Sequence, residues 1–212
     1  MKQVKDILVI NAGGFGRSMV ATARAEWQHG VEWAVRGFLD SRSHMVVPGD
    51  LAILGDPFTY VCQPEQLFMC ALGDPSLRRQ FAAPLLAQGA EFICLTPSTH
   101  RAERVQIGQG CLFEHSVSLG ADTVLGDFVI MLSTSIVGYD VRIGAYSTVG
   151  SFVFMGGGVH LGENVVVHPH ATILPGVKVG DGAVIGAGSV VVGNVPAGVT
   201  VFGNPAKRFE FK

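Results

Sequence analysis

Three groups of residues in this chain have side chains and spacing suited to chemistry. The first is Asn11-Ala12-Gly13-Gly14-Phe15-Gly16-Arg17, which follows the apolar run Ile7–Ile10 and precedes a helix predicted over about Ser18 to His29. Strand, glycine turn and helix place free backbone amides at a helix N-terminus, where they face an anion such as a phosphate. Asn11 stands where the usual fingerprint has its first glycine, and a tight turn that packs helix against strand is the alternative reading. A second apolar run, Ala34–Leu39, ends in Asp40, placed to accept hydrogen bonds from a ribose or a base. The second group is His160, with His168 and His170 flanking Pro169. Imidazole exchanges protons near neutral pH and suits a general base, while a corner or stacking role is open for each of the three. The third is the pair Lys207-Arg208, two cations suited to phosphates, or equally to a polar cap over an open end.

Metal chemistry is not expected. His168-Pro169-His170 has no carboxylate beside it, and Cys62, Cys70, Cys94 and Cys111 are scattered without metal or redox spacing. The cysteines read as small buried hydrophobes of a reducing compartment. His115 has no assigned role, and His29 and His44 are expected in solvent.

The element that must position the histidines is a repeat. Apolar anchors fall every six residues, at Ile107, Phe113, Leu119, Leu125, Met131, Val137, Ile143, Val149, Met155, Leu161, Val167, Ile173, Val179, Ile185 and Val191. Many are followed directly by glycine, and four residues after each anchor stands a small or β-branched residue, Cys111 excepted. Such a beat implies a parallel β-helix in which each hexad is one side of a three-sided coil. Fifteen hexads give five coils, or a prism of roughly 24 Å at the usual strand spacing. The small residues suit tight corners, and the glycines are read as relaxing the bends.

Upstream, Phe68–Leu72 is a third strand, Asp74 caps a helix over Leu77–Gln88 that Gly89 ends, and Glu91–Leu95 is a last strand. Alternating strands and helices over about one hundred residues describe a small doubly wound domain. The composition agrees with both parts: 48% hydrophobic, 8% aromatic and 28 glycines, as a β-helix of small aliphatics requires. A net charge of −2 without a basic run argues against nucleic acid. No signal peptide precedes Ile7 and no apolar run spans a bilayer, so a cytoplasmic protein without membrane insertion is expected.

The six-residue repeat resembles the left-handed parallel β-helix acyltransferases of the hexapeptide-repeat superfamily. The left hand comes from that resemblance, because the crossover rule for parallel strands would give a right hand. With the glycine turn, Gly73-Asp74-Pro75-x-x-Arg78, and the closing stretch from Val195-Pro196-Ala197-Gly198 to Gly203-Asn204-Pro205-Ala206-Lys207, the chain resembles the nucleotide-sugar N-acetyltransferases and the related sialic acid O-acetyltransferases. The resemblance covers nearly the whole chain. It implies an α/β, Rossmann-like N-terminal domain over residues 1–100, a left-handed β-helix of about five coils over 101–196, and a short tail over 197–212. Gly13, Gly14, Gly16 and Asp40 would hold the nucleotide of a nucleotide-linked amino sugar. Gly157, Asn204, Lys207 and Arg208 would hold acetyl-CoA or another acyl-CoA, with Gly157 giving its amide to the thioester carbonyl. The resemblance also implies a homotrimer with active sites between neighbouring prisms, and Pro196 would stop the last coil.

The family base is a histidine followed by an acid, on a corner of a middle coil. The matching stretch is Thr134-Ser135-Ile136-Val137-Gly138-Tyr139-Asp140, so Tyr139 stands at the base position and Asp140 at the acid. The family's usual Asn and second His are replaced by Leu132 and Thr148, and the His of its glycine turn by Phe15. A phenol is a poor base near neutral pH. An amine acceptor tolerates that loss better than a hydroxyl, since a neutral amine is already nucleophilic. The sequence therefore predicts N-acetylation of an amino sugar, with Tyr139 and Asp140 orienting the acceptor and His160 as a relocated base. Two alternatives stand beside it: a non-catalytic relative that binds a nucleotide or sugar, and an O-acetyltransferase with a relocated base.

Overall fold

The computed structural model describes residues 4–209, in two compact units that divide between Leu95 and Thr96, five residues before the expected boundary. The first unit is a five-stranded parallel sheet with helices between its strands. In chain order it comprises β1 (Lys5–Ile10), α1 (Gly14–Ala25), β2 (Trp33–Leu39), β3 (Ile53–Gly55), β4 (Gln66–Cys70), α2 (Pro75–Leu86) and β5 (Glu91–Phe92). The strand order is β3-β2-β1-β4-β5, so the winding reverses between β1 and β4. In open parallel sheets the crevice at that reversal, outside the carboxyl ends of the strands, is where ligands bind.

Ile7, Leu8, Val9 and Ile10 are all buried, as a central parallel strand with covered faces demands. Helix α1 begins at Gly14, four residues before the predicted start, so the glycine turn already forms its first turn. A Cβ on Gly16 would overlap the carbonyl oxygen of Asn11, which is why the helix can lie so close to β1. Asn11 itself has φ +83°, the left-handed region that asparagine enters more readily than most residues. The departure from the glycine fingerprint therefore keeps the backbone shape that the fingerprint serves. Asp74 caps α2 by accepting from the Leu77 amide at 2.8 Å, and Gly89 takes φ +79° beyond the helix end.

The second unit is a three-faced parallel β-helix. One face stacks Gln106–Ile107, Val124–Leu125, Arg142–Ile143, His160–Leu161 and Lys178–Val179. The next carries Leu112–Phe113, Ile130–Met131, Thr148–Val149, Val166–Val167, Val184–Ile185 and Thr200–Phe202. The last runs from His100–Arg101 through Ser118–Leu119, Ile136–Val137, Phe154–Met155 and Thr172–Ile173 to Val190–Val191. Partners in each ladder are eighteen residues apart, as in Ile136 against Phe154 and Arg142 against His160. Of the fifteen anchors only Ile107 is partly exposed, and every residue four places after an anchor is buried. Four of the buried polar side chains among the latter are satisfied in one repeated way, while Ser189 accepts from the Gly203 amide. Cys111, Thr123, Ser135 and Ser147 donate to the carbonyls of Gly126, Gly138, Gly150 and Gly162.

The glycines that follow anchors have a different cause from the one expected. None of them has positive φ; instead a Cβ on Gly120, Gly126 or Gly138 would run into the backbone of the next rung. Positive φ falls two residues later, at every third residue after an anchor from Gly110 to Gly188, and most of those positions are not glycine.

Three further expectations change. Pro196 does not end the column: Thr200–Phe202 adds a rung against Val184–Ile185, and Lys207–Arg208 pairs antiparallel with Val201–Phe202. Pro196 sits where its missing N–H would have served a rung that its own face lacks. Cys70 and Cys111 are buried, but Cys62 is half-buried, and Cys94 is exposed beyond the end of β5. His29 packs edge-on against Trp33 with its Nε2 buried, whereas His44 is exposed as expected.

Replacing Gly120 with alanine would push a Cβ to 2.5 Å from the Gly138 carbonyl carbon. The expected cost is about 1–3 kcal/mol, read as a lowered melting temperature. Gly193→Ala, where a Cβ meets nothing within 4 Å, should leave the melting temperature nearly unchanged.

Candidate active site

Tyr139 lies at the corner between the face of Ile136–Val137 and the face of Arg142–Ile143. Its side chain is 65% exposed overall. The ring covers Gly157 of the next coil, where a Cβ would stand 2.6 Å from the phenol Cζ. Only glycine therefore fits beneath the ring. The Gly158 amide donates to the Tyr139 carbonyl at 2.8 Å, which fixes the two coils to each other at this corner. The Gly157 amide has no hydrogen-bond partner among the described residues. The same outward amide is taken by a carboxylate elsewhere, Gln109 by Asp127 and Glu163 by Asp181. The equivalent amides of another corner thus show that an anionic oxygen can dock at this position of a turn.

His160 lies on the adjoining face, and its Nδ1 is 3.0 Å from the Gly158 carbonyl oxygen. A carbonyl only accepts, so the neutral ring carries its proton on Nδ1 and leaves a lone pair on Nε2. That is the tautomer a general base needs. An open groove of about 690 Å³ runs over this face, lined among others by Arg104, Asp122, Asp140, Arg142 and His160. At His160 it meets a second groove of about 420 Å³, lined also by Lys178 and Asn194. Arg142, His160 and Lys178 follow one another in register up the face. Asp140 reaches the groove from a corner residue at φ +55°.

Tyr139, Asp140, Gly157 and His160 are therefore brought together within the chain. The tail is not. Lys207 and Arg208 pair beside Thr200–Phe202, on the face that does not adjoin the Tyr139 corner. His168 and His170 lie on another corner, where His170 stacks on Phe152 with ring centres 5.0 Å apart. Among the described residues no group of three or more His, Cys, Asp and Glu is arranged to hold a metal, and no helix is long and apolar enough to cross a membrane.

In the first unit Asp40 stands just beyond β2, buried, beside the glycine turn. Its Oδ2 accepts from the Ala12 amide at 2.8 Å and from Arg42 Nη2 at 2.7 Å. Its Oδ1 accepts from the Arg42 amide at 3.0 Å and Arg42 Nε at 2.8 Å. Hydrogen bonding from the Arg42 side chain, outweighing the cost of burial, holds the carboxyl at a pKa of about 2. Arg42 Nη2 also donates to Asn11 Oδ1 at 3.1 Å, and the same oxygen accepts from the Gly13 amide. The amides of Gly14, Phe15 and Gly16 keep no partner among the described residues, as an anion site requires. The part that Arg42 and the Asn11 side chain play in this cluster was not read from the sequence. The only signal was an arginine two places after the acid.

Nearby, Arg78 is fully buried and donates to the carbonyls of Leu72 and Gly73 beyond β4. The Gly73-to-Arg78 segment is thereby tied to the carboxyl end of the sheet.

The comparisons with known proteins agree with both units. Residues 158–193 match the family model described as bacterial transferase hexapeptide (six repeats). Residues 135–168 match the hexapeptide repeat of succinyl-transferase. No curated protein matches the sequence at a significant level. Among solved structures, the acetyltransferase domain of PglB from Neisseria gonorrhoeae, in complex with acetyl coenzyme A, is 28% identical with a TM-score of 0.89. The match covers 98% of this chain and all of that one. PerB from Caulobacter crescentus, in complex with CoA and GDP-perosamine, is 25% identical with a TM-score of 0.86 over 99% of this chain and all of that one. In fold and repeat the chain is similar to the hexapeptide-repeat acyltransferases.

A further structure of this type is a histidine-to-alanine variant of the Caulobacter GDP-perosamine N-acetyltransferase, 26% identical with a TM-score of 0.89 over the full length of both chains. In this chain Tyr139 is a phenol set over Gly157.

The Asp40–Arg42 pair predicts a pH dependence. Its carboxyl is held below the value of an unfolded aspartate, so the pair stabilises the fold above about pH 4 and loses that contribution as pH falls toward 2. The full contribution is about 2 kcal/mol. Thermal melts should show Asp40→Asn less stable than the parent at pH 6, with the gap narrowing below about pH 4 and closing as pH falls through about 2.

Proposed function

We propose that this chain is an acyl-CoA-dependent acetyltransferase that acetylates the amino group of a nucleotide-linked sugar. The carrying observation is the likeness along the whole chain, through both units, to N-acetyltransferases bound to acetyl-CoA or to CoA with GDP-perosamine. Acetyl-CoA is the acyl donor and the amino sugar the acceptor.

In this reading the first unit is the Rossmann-like domain that holds the nucleotide, with Gly13, Gly14 and Gly16 turned to its phosphates. The strand order and the unpartnered amides at the start of α1 support that role. The column is left-handed, as in the proteins it resembles. Gly157 donates its amide to the oxyanion that forms as the amine attacks the thioester carbonyl. His160 Nε2 takes the proton lost by the amine, and Tyr139 and Asp140 orient the acceptor.

The assembly is a homotrimer. Ile136 and Phe154, neighbours on one face, are 48% and 45% exposed, and Phe152, Leu174 and Val192 extend this apolar surface. A contiguous apolar surface of this kind marks an interface. Trimerisation also accounts for the tail: Asn204, Lys207 and Arg208 of a neighbouring copy would hold the CoA that a copy's own tail, on the wrong face, does not reach.

A second reading is favoured by Leu132, Tyr139 and Thr148, which replace three polar residues expected of an active member. In it the protein binds its ligands without turnover. The two readings separate by free-thiol release from acetyl-CoA in the presence of nucleotide-linked amino sugars. Release is expected, with His160→Ala slowing it about 10²–10⁴-fold and Tyr139→His speeding it. Binding of CoA without thiol release from any amino sugar tested would establish the second reading. Release with only a hydroxyl sugar would make the enzyme an O-acetyltransferase.

A further inference from the structure

The buried carboxylate of Asp40 has no acceptor capacity left. Two carboxylate oxygens offer about four lone-pair positions, and four N–H donors at 2.7 to 3.0 Å fill them. A ribose hydroxyl or a base N–H could reach Asp40 only by displacing the Ala12 amide or Arg42. What the pair presents to solvent instead is Arg42. Its side chain is 52% exposed against 4% for Asp40, so the guanidinium is the outer member of the pair.

The donors can be counted. Nε goes to Asp40 Oδ1, and Nη2 divides its two protons between Asp40 Oδ2 and Asn11 Oδ1. Nη1 has no partner among the described residues. Three hydrogen bonds donated to two side chains lock the fork, so the two Nη1 protons are held in fixed directions at little further entropic cost. The glycine turn with its unpartnered amides lies on the other side of Asn11 and already provides for phosphate. An acid beyond the second strand of such a sheet lies on the nucleoside side.

We propose that Arg42 is the residue that reads the nucleobase in this unit. It selects a base with an oxo group where adenine and cytosine carry an amino group, such as guanine or uracil. A guanidinium only donates, so it pairs with an oxo group and is left facing a donor by an exocyclic amine. Asp40 acts through Arg42 as a positioning residue. The inference rests on the nucleotide-sugar reading above and names the class of nucleotide for that site.

Calorimetric titration of the full chain with GDP, ADP, UDP, CDP and inorganic diphosphate tests it. The parent should bind GDP better than ADP and UDP better than CDP. Arg42→Ala should weaken the oxo-base nucleotides about tenfold or more, remove the preference, and leave inorganic diphosphate unchanged. Arg42→Lys keeps the charge without the fork and should not restore the preference. A melting temperature near that of the parent confirms that each variant is folded. Equal loss of diphosphate and nucleotide would make Arg42 a phosphate clamp and overturn the inference. So would unchanged nucleotide binding in Arg42→Ala, or a parent that binds ADP and CDP as tightly as their oxo counterparts. A parent that binds no nucleotide at all would remove the nucleotide-sugar reading as well.

Discussion

Backbone packed directly on backbone, eighteen residues apart, is the constraint on which the second unit depends. Where glycine follows an anchor, as it does after ten of the fifteen, the backbone lies so near the next rung that in nearly every case a single methyl group would collide with it. Three small hydroxyls behind the corners, Thr123, Ser135 and Ser147, then donate to carbonyls fifteen residues on, so the bends satisfy these buried donors. A core of valines, isoleucines and leucines can stack in such a column because nothing bulky intrudes between the rungs.

The same constraint shapes the chemistry. The Tyr139 ring can rest on the next coil only because Gly157 has no side chain, and that glycine offers an amide with no internal use. His160 is oriented by the carbonyl of the neighbouring Gly158, so ring, amide and imidazole are set by one short stretch of backbone. In the first unit the analogous device is a charged pair. Asp40 spends its acceptor capacity on Arg42 and the Ala12 amide, so the exposed member of the pair is a donor rather than an acceptor.

The column was legible because its signal is periodic. Fourteen of the fifteen anchors are buried, and the residues four places on line the corners as their size implied. The cause assigned to the glycines was not legible, since sequence does not separate a residue that must be glycine for its φ from one that must be glycine for its neighbour. The positive-φ positions two residues later are held by Asp122, Phe128, Thr134, Tyr146 and others with no common chemistry. In the α/β unit the strands were found to within a few residues, but the short β3 over Ile53–Gly55 escaped because three residues carry no period. Asp40 was singled out, while the use made of it depended on Arg42, whose contacts are visible only in three dimensions.

Stacked rungs have a further consequence for motion. Each rung is held by the one before and the one after, so a column of this kind opens from its ends. The rungs of Tyr139, Gly157 and His160 lie well inside the span from His100 to Phe202. Amide exchange with deuterated water should accordingly be slowest around these three residues. The segment suited to catalysis would then be among the most rigid of the column, in contrast to the mobile loops that carry most enzyme active sites.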